Sequence, residues 1–293
     1  MIAVRPLEPA DIVRADEVAY ASLTAMSAQY APSAPPATGR TQERIRFAHA
    51  RIAHLLETDP AGAWVAVDGP DVVGIALSLR RGPMWFLSLL AVATDLQARG
   101  AGKALLDASL RTAQGAEAAW ILATPDPKAL RRYAMAGFRP HPAYAAHGNV
   151  DRALVPTGLG VRDGDVSRDG DLVQEVVTGL RGAAYGPDLD AMVSVGAQLL
   201  VAEHGRDRGF CLCAPTGIFS LGATSPAVAQ RLLWEALTRV TGPELEVFWL
   251  TAEQQWAIGV VLAARLSLRP GPSSCRRSTL GPLSPYLPSG AYG

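Results

Sequence analysis

Gly100 and Gly102 stand where an apolar run, Met84 to Ala93, gives way through a turn, Thr94 to Gly102, to a helical pattern over Lys103 to Gln114. Glycine accepts positive φ and lets a ligand approach the main chain closely. The free N–H groups at a helix start then face a ready anion position. A Walker A phosphate loop would need Gly at 97 and Ser or Thr at 104, but Gln97 and Ala104 occupy those positions. A dinucleotide fingerprint would need Gly at 105, where Leu105 stands. What remains is Gln97-x-x-Gly100-x-Gly102 after a long strand.

The elements that must position this turn can be read from hydrophobic spacing. Val4-Arg5-Pro6 reads as a strand, and a helix follows from Asp11 with Ile12, Ala15, Val18, Ala19 and Leu23 on one face. Ala31 to Gly39 is Pro-rich and reads as a loop. Thr41 caps a second helix, whose stripe is Ile45, Ala48, Ile52 and Leu55 and which Pro60 ends. Ala63 to Val67 and Val72 to Leu79 form two strands around an Asp68-Gly69 turn. After the Gly-rich turn come a strand at Ala119 to Ala123, a helix at Pro127 to Ala136 stopped by Gly137, and an extended segment from Phe138. The order is β-α-α-β-β-β-α-β-α-β.

Taken together, Gln97-Ala98-Arg99-Gly100-Ala101-Gly102, the strand after it and the run Asp126-Pro-Lys-Ala-Leu-Arg-Arg-Tyr133-Ala-Met-Ala-Gly137-Phe138 resemble the GNAT N-acetyltransferase superfamily. The resemblance covers roughly Met1 to Val150. It implies that acetyl-CoA, or another acyl-CoA, is the co-substrate. The amides of Ala98, Arg99, Gly100, Ala101, Gly102 and Lys103, beside Gln97, would hold its pyrophosphate, aided by the helix dipole. The strand before the turn would splay at a bulge. The backbone of Leu90, Ala91 and Val92 would then pair with the pantetheine arm, and an N–H near Leu90 would serve the oxyanion.

The thiolate leaving group needs a proton. Tyr133 occupies the family's position for that acid, and a phenol of pKa ~10 beside a thiol of pKa ~8.5 is a plausible donor. The bland alternative for Tyr133 is a ring packed on an amphipathic helix. Asp126 stands where relatives often have Asn, so it brings charge close to the pantetheine. The strand Met84 to Val92 carries no Glu or Asp, so the base many relatives use there is missing. A water chain, Asp95, a side chain from the second half, or the C-terminal carboxylate of Gly293 are the candidates.

Val150 to Gly160, with Pro156, Gly158 and Gly160, reads as a linker. Beyond it the pattern restarts: Val161-Arg162 echoes Val4-Arg5. A helix follows at Leu172 to Leu180, then strands at Gln198 to Ala202, Gly209 to Ala214 and Gly217 to Leu221. Ser225-Pro226 opens a helix with Ser as its cap, and a strand at Leu245 to Leu250 and a helix at Gln254 to Leu266 precede an extended Pro/Gly-rich tail. Alignment puts Thr224 at the Gln97 position, Pro226 at Arg99, Ala227 and Ala229 at Gly100 and Gly102, and Ala263 at Tyr133. The anion loop and the acid are lost together. The expected architecture is therefore α/β, a mixed α+β sheet in two tandem GNAT-like domains. Residues 1–151 would be catalytic, and residues 158–293 a degenerate copy that shapes the substrate site.

Composition bounds the rest. The chain has 293 residues, enough for two domains. It is 49% hydrophobic and 18% charged, which suits real cores. Lys plus Arg and Asp plus Glu are both 27, so a strongly basic nucleic-acid binder is not expected. Only Lys103 and Lys128 are lysines. Three cysteines make no disulfide framework, no signal peptide is evident, and no apolar run reaches the ~20 residues of a membrane span. A cytoplasmic protein is expected, with no membrane or nucleic-acid partner, as a monomer with an internal pseudo-dimer or as a homodimer.

Asp165-x-Ser167-x-Asp169-Gly170 starts like a calcium loop, but Val176 stands where the bidentate Glu should be, so a polar loop leading into a helix from Asp171 is expected. Cys211 and Cys213 alternate on a strand and are expected to face opposite sides as small buried residues. His49, His54, His141, His147 and His204 show no zinc spacing, so no metal is expected. The tryptophans 64, 85, 120, 234, 249 and 256 are expected in cores. The leading function is transfer of an acetyl group to a primary amine of a small molecule or peptide. The alternative is a non-catalytic acyl-CoA-binding or regulatory protein, or a scaffold.

Overall fold

The structure is a computed structural model that describes residues 2–30, 39–241 and 245–293. Residues 31–38 of the Pro-rich segment lie outside the described residues. In the first half the elements are β1 (Ile2–Pro6), α1 (Ile12–Tyr30), α2 (Gln42–Thr58), β2 (Ala63–Asp68), β3 (Asp71–Arg81), β4 (Met84–Val92), α3 (Ala101–Leu110), β5 (Ala118–Ala123), α4 (Pro127–Met135), β6 (Arg139–His141) and β7 (Tyr144–Gly148). The second half holds β8 (Val161–Asp163), α5 (Val166–Arg181), α6 (Asp188–Ser194), β9 (Gln198–His204), β10 (Asp207–Ala214), β11 (Gly217–Ala223), α7 (Pro226–Arg239), β12 (Leu245–Leu250), α8 (Gln255–Ala263), β13 (Ser267–Pro270), β14 (Ser273–Ser278) and β15 (Tyr286–Leu287).

The repeat is visible in a shared device. Arg5 on β1 donates two bonds to Asp11, at 2.7 and 2.9 Å, and Asp11 accepts the Glu8 N–H. Arg162 on β8 grips Asp169 in the same way, at 3.0 and 2.7 Å, and Asp169 accepts the Asp165 N–H. Each fork ties a first strand to the start of the helix that follows it. Both carboxyls are held below their usual range, chiefly by the arginine bonds.

Each half lends the other one strand. The seven-stranded sheet runs β1-β2-β3-β4-β5-β14-β6, so β14 from the second half lies between β5 and β6. Its register sets Cys275 against both Ile121 and Pro140. The three-stranded sheet runs β12-β7-β13, so β7 from the first half lies between two strands of the second. The remaining five strands run β15-β11-β10-β9-β8. The segment 150–160 therefore separates the chain without separating its hydrogen bonding. The largest core also spans both halves: Ile52, Leu77 and Phe86 share it with Val177, Phe210 and Tyr286.

Several local expectations need correction. Helix α3 starts at Ala101 rather than Lys103, because Gly100 at φ +93 caps it in the left-handed region. Helix α5 starts at Val166 rather than Asp171, because Asp165 caps it by accepting the Ser167 N–H at 2.8 Å. Helix α6 was not expected; it follows Pro187 and is seven residues long. Ser225 sits at the start of α7 but makes no capping bond, and its buried hydroxyl has no partner among the described residues. Cys211 and Cys213 share one face rather than opposing each other, since positions two apart on a strand point the same way. Both are buried and free, in the core beneath α7.

Candidate active site

Strand β4 carries the site because it loses its neighbour halfway along. It pairs in parallel with β5 only from Met84, opposite Ala118, to Leu87, opposite Ile121. Against β3 the register jumps from Leu87 to Leu89, leaving Ser88 as the extra residue of a bulge. Beyond it, Leu90 to Val92 stay paired with β3 on one edge and have no strand on the other. That open edge forms one wall of a cleft of about 630 Å³.

The turn after β4 forms the floor. Ala98 has φ +66, unusual for a residue with a side chain, and Gly100 has φ +93. This conformation turns the main chain so that the N–H groups of Ala98, Arg99, Gly100, Ala101 and Gly102 have no partner among the described residues. The Lys103 N–H is not part of this row: it donates to the Gly100 carbonyl at 3.0 Å. The Lys103 ammonium is paired with Asp107 at 2.6 Å. Gln97 turns inward and gives its amide to the Val92 carbonyl at 3.3 Å, so that carbonyl is engaged within the chain.

Helix α4 makes the opposite wall. Its N-cap is Asp126, whose carboxylate accepts the Lys128 N–H at 2.8 Å. Tyr133 is 5% exposed, and its ring packs in a core with Trp85, Leu106 and Phe138. Tyr133 lines the cleft, and its hydroxyl has no hydrogen-bond partner among the described residues. Burial raises this phenol well above its ordinary value, with Cys275 adding to the shift, so it stays protonated. The packing role and an available acidic proton thus coexist in one residue.

Residues 24–138 match the model of the acetyltransferase (GNAT) family. The matched segment holds β4, the turn after it and α4, the three parts of the cleft. Over its whole length the chain shares the fold of solved structures at low identity. A candidate acetyltransferase from Pyrococcus horikoshii is 18% identical, with a TM-score of 0.78 over 100% of this chain and 96% of that one. A GCN5-related N-acetyltransferase from Sphaerobacter thermophilus is 16% identical, with a TM-score of 0.59 and 96% of each chain covered. A tandem GNAT protein from the clavulanic acid biosynthesis pathway is 17% identical, with a TM-score of 0.53 over 96% and 99%. No curated protein matches the sequence.

The cations that α4 brings to the cleft were not singled out from the sequence. Lys128, Arg131 and Arg132 line it from α4. Their spacing, i, i+3 and i+4 after a Pro at the helix start, is the signal that could have found them. Arg132 makes no ion pair among the described residues, and its guanidinium lies over Gly102, where a Cβ would meet Nη1 at 2.5 Å. The small side of residue 102 therefore serves a cation as well as the main chain.

The base candidates fare unequally. Asp95 is exposed and outside the cleft lining. No residue of the second half lines the cleft. The Gly293 oxygen is taken by Arg181 Nη1 at 2.9 Å and by the Tyr286 hydroxyl at 2.7 Å. A water chain is what remains. In the second half, the Thr224 N–H and hydroxyl are both bonded to the Arg208 main chain, and the Ala229 N–H goes to the Ser225 carbonyl. Pro226 has no N–H to offer. Among the described residues, no group of His, Cys, Asp and Glu could hold a metal, and no helix is long and apolar enough to cross a membrane. Of the tryptophans, Trp249 departs from expectation by lining a second cavity.

Proposed function

We propose that residues 1–151 bind acetyl-CoA, or a related acyl-CoA, and transfer the acyl group to a primary amine, while residues 158–293 form a degenerate domain that shapes the acceptor side. The observation that carries this reading is the meeting of three features in one cleft: the turn whose amides from Ala98 to Gly102 are unpartnered among the described residues and which reaches the cleft at Ala98 and Gly102, the open edge of β4, and Tyr133. Unpartnered N–H groups leading into the start of α3 suit a diphosphate. Arg132 and Lys128 add charge on the opposite wall, and Asp126, as cap of α4, frames the pantetheine channel.

The amine, once deprotonated to water, attacks the thioester carbonyl carbon and forms the C–N bond. A main-chain N–H at Leu90 stabilises the oxyanion. Collapse breaks the C–S bond and the Tyr133 proton passes to the sulfur, while the nitrogen releases its second proton to water and water returns one to the Tyr133 phenolate. Burial keeps this phenol protonated at neutral pH, so the proton is present when the thiolate forms.

A free-thiol release assay with acetyl-CoA across a panel of amines tests the proposal. Thiol release that depends on the amine supports it. Tight CoA binding with no release for any amine would favour the non-catalytic reading.

A further inference from the structure

A second cavity, of about 360 Å³, lies where α2 meets the second half. Phe47 and Arg51 enter it from α2, Phe219 from β11, and Phe248 and Trp249 from β12, with Ala291 closing one side. Phe47 and Phe219 meet at a 45° tilt with 5.4 Å between centroids. Trp249 holds φ +65, and the β12–β7 register breaks between Val247 and Leu250. A bulky residue kept in the left-handed region marks a place where the surroundings hold it against strain.

Arg51 is the cavity's one charged lining residue. Its Nε donates to Ser88 Oγ at 3.0 Å, and Nη2 donates to the Ser88 hydroxyl and carbonyl. The Ser88 hydroxyl in turn donates to the Ala291 carbonyl at 2.6 Å. The two N–H bonds of Nη1 have no partner among the described residues, and Arg51 makes no ion pair. Burial lowers its pKa to about 10, with Tyr292 opposing the shift, so the guanidinium stays charged at neutral pH, and it makes no ion pair among the described residues. An arginine fixed on one edge with its other edge open fits a planar anion.

Ser88 is the bulge of β4, two residues before Leu90, or about 7 Å along the strand. The first cleft is lined by Leu90, Ala91 and Val92 of β4, and the second cavity is tied to the same strand through the bonds of Arg51 to Ser88.

We infer that the acceptor is an amine that also carries a carboxylate several bonds away, and that Arg51 Nη1 binds this carboxylate while the aromatic walls hold the body between. The inference rests on the transferase reading above. Arg51 is a specificity residue, remote from the reacting atoms.

The experiment compares 6-aminohexanoate and 4-(aminomethyl)benzoate with their primary amides as acceptors, in the full-length wild-type protein. The acids should exceed the amides in kcat/KM by roughly tenfold or more, the scale of one charge-assisted bond. In Arg51→Gln the acid-to-amide ratio should fall toward one, and in Arg51→Lys it should partly persist. The wild-type comparison stands even if a variant fails to fold. Calorimetry with CoA separates the two ideas. CoA binding with equal turnover of acid and amide overturns the carboxylate site alone, whereas absence of CoA binding overturns the transferase reading.

Discussion

A Cβ added to Gly102 would stand 2.5 Å from Arg132 Nη1 and 3.5 Å from Val92 Cγ2. The obstructing atom is the tip of a flexible side chain, so the main chain need not move. Gly102→Ala should therefore leave the melting temperature within about 2 °C of wild type while displacing Arg132 from the turn. CoA affinity should fall by roughly tenfold, the scale of one charged contact. Calorimetry and thermal melting on the same sample read both effects.

Tyr133 is predicted to matter for turnover and not for cofactor binding. Tyr133→Phe should lower kcat by about 10²- to 10⁴-fold with little change in CoA affinity. The sign of the pH effect is fixed by burial, which raises the phenol's pKa. The acid form then persists above the ordinary tyrosine value, so kcat should show no fall from Tyr133 ionisation between pH 8 and 10. A descending limb in that range that vanishes in Tyr133→Phe would contradict this assignment.

The halves are joined by a buried ionic cluster as well as by strands. Asp188 of α6 is wholly buried and accepts from His54 Nε2 at 2.8 Å and from Arg81 Nε at 2.8 Å. Arg81 also holds Asp59 at 2.9 Å. Removing one member leaves an uncompensated buried charge, so Asp188→Ala should cost about 3–5 kcal/mol. Urea unfolding measures this. A loss below about 1 kcal/mol would show that water or a local shift replaces the aspartate.

The exchanged strands predict interdependence. A fragment of residues 1–157 would leave β5 without its β14 partner and β7 without β12 and β13. Such open edges promote association. The fragment alone should be aggregated on size exclusion, and co-expression with residues 158–293 should recover a soluble complex.

The element order of the first half was legible because each strand and helix carries its own periodic stripe, as in Ile45, Ala48, Ile52 and Leu55. The turn from Gln97 to Gly102 was legible because its glycines report on local main-chain geometry. The strand exchange was not, since β7 and β14 look like ordinary edge segments and only long-range pairing decides their partners. The Lys103 amide was placed wrongly because helix starts shift by a residue or two when a left-handed glycine caps them. Arg51 and the α4 cations were missed because a charged residue on a helix reads as a solvated face until the packing around it is known.

Hydrogen exchange during an acetyl-CoA titration tests the central claim most directly. The account predicts binding heat together with slowed exchange at the amides of Ala98 to Gly102, and little change at the corresponding turn of the second half around Thr224 to Val228. Binding heat without protection of Ala98 to Gly102, or no heat at all, would contradict it.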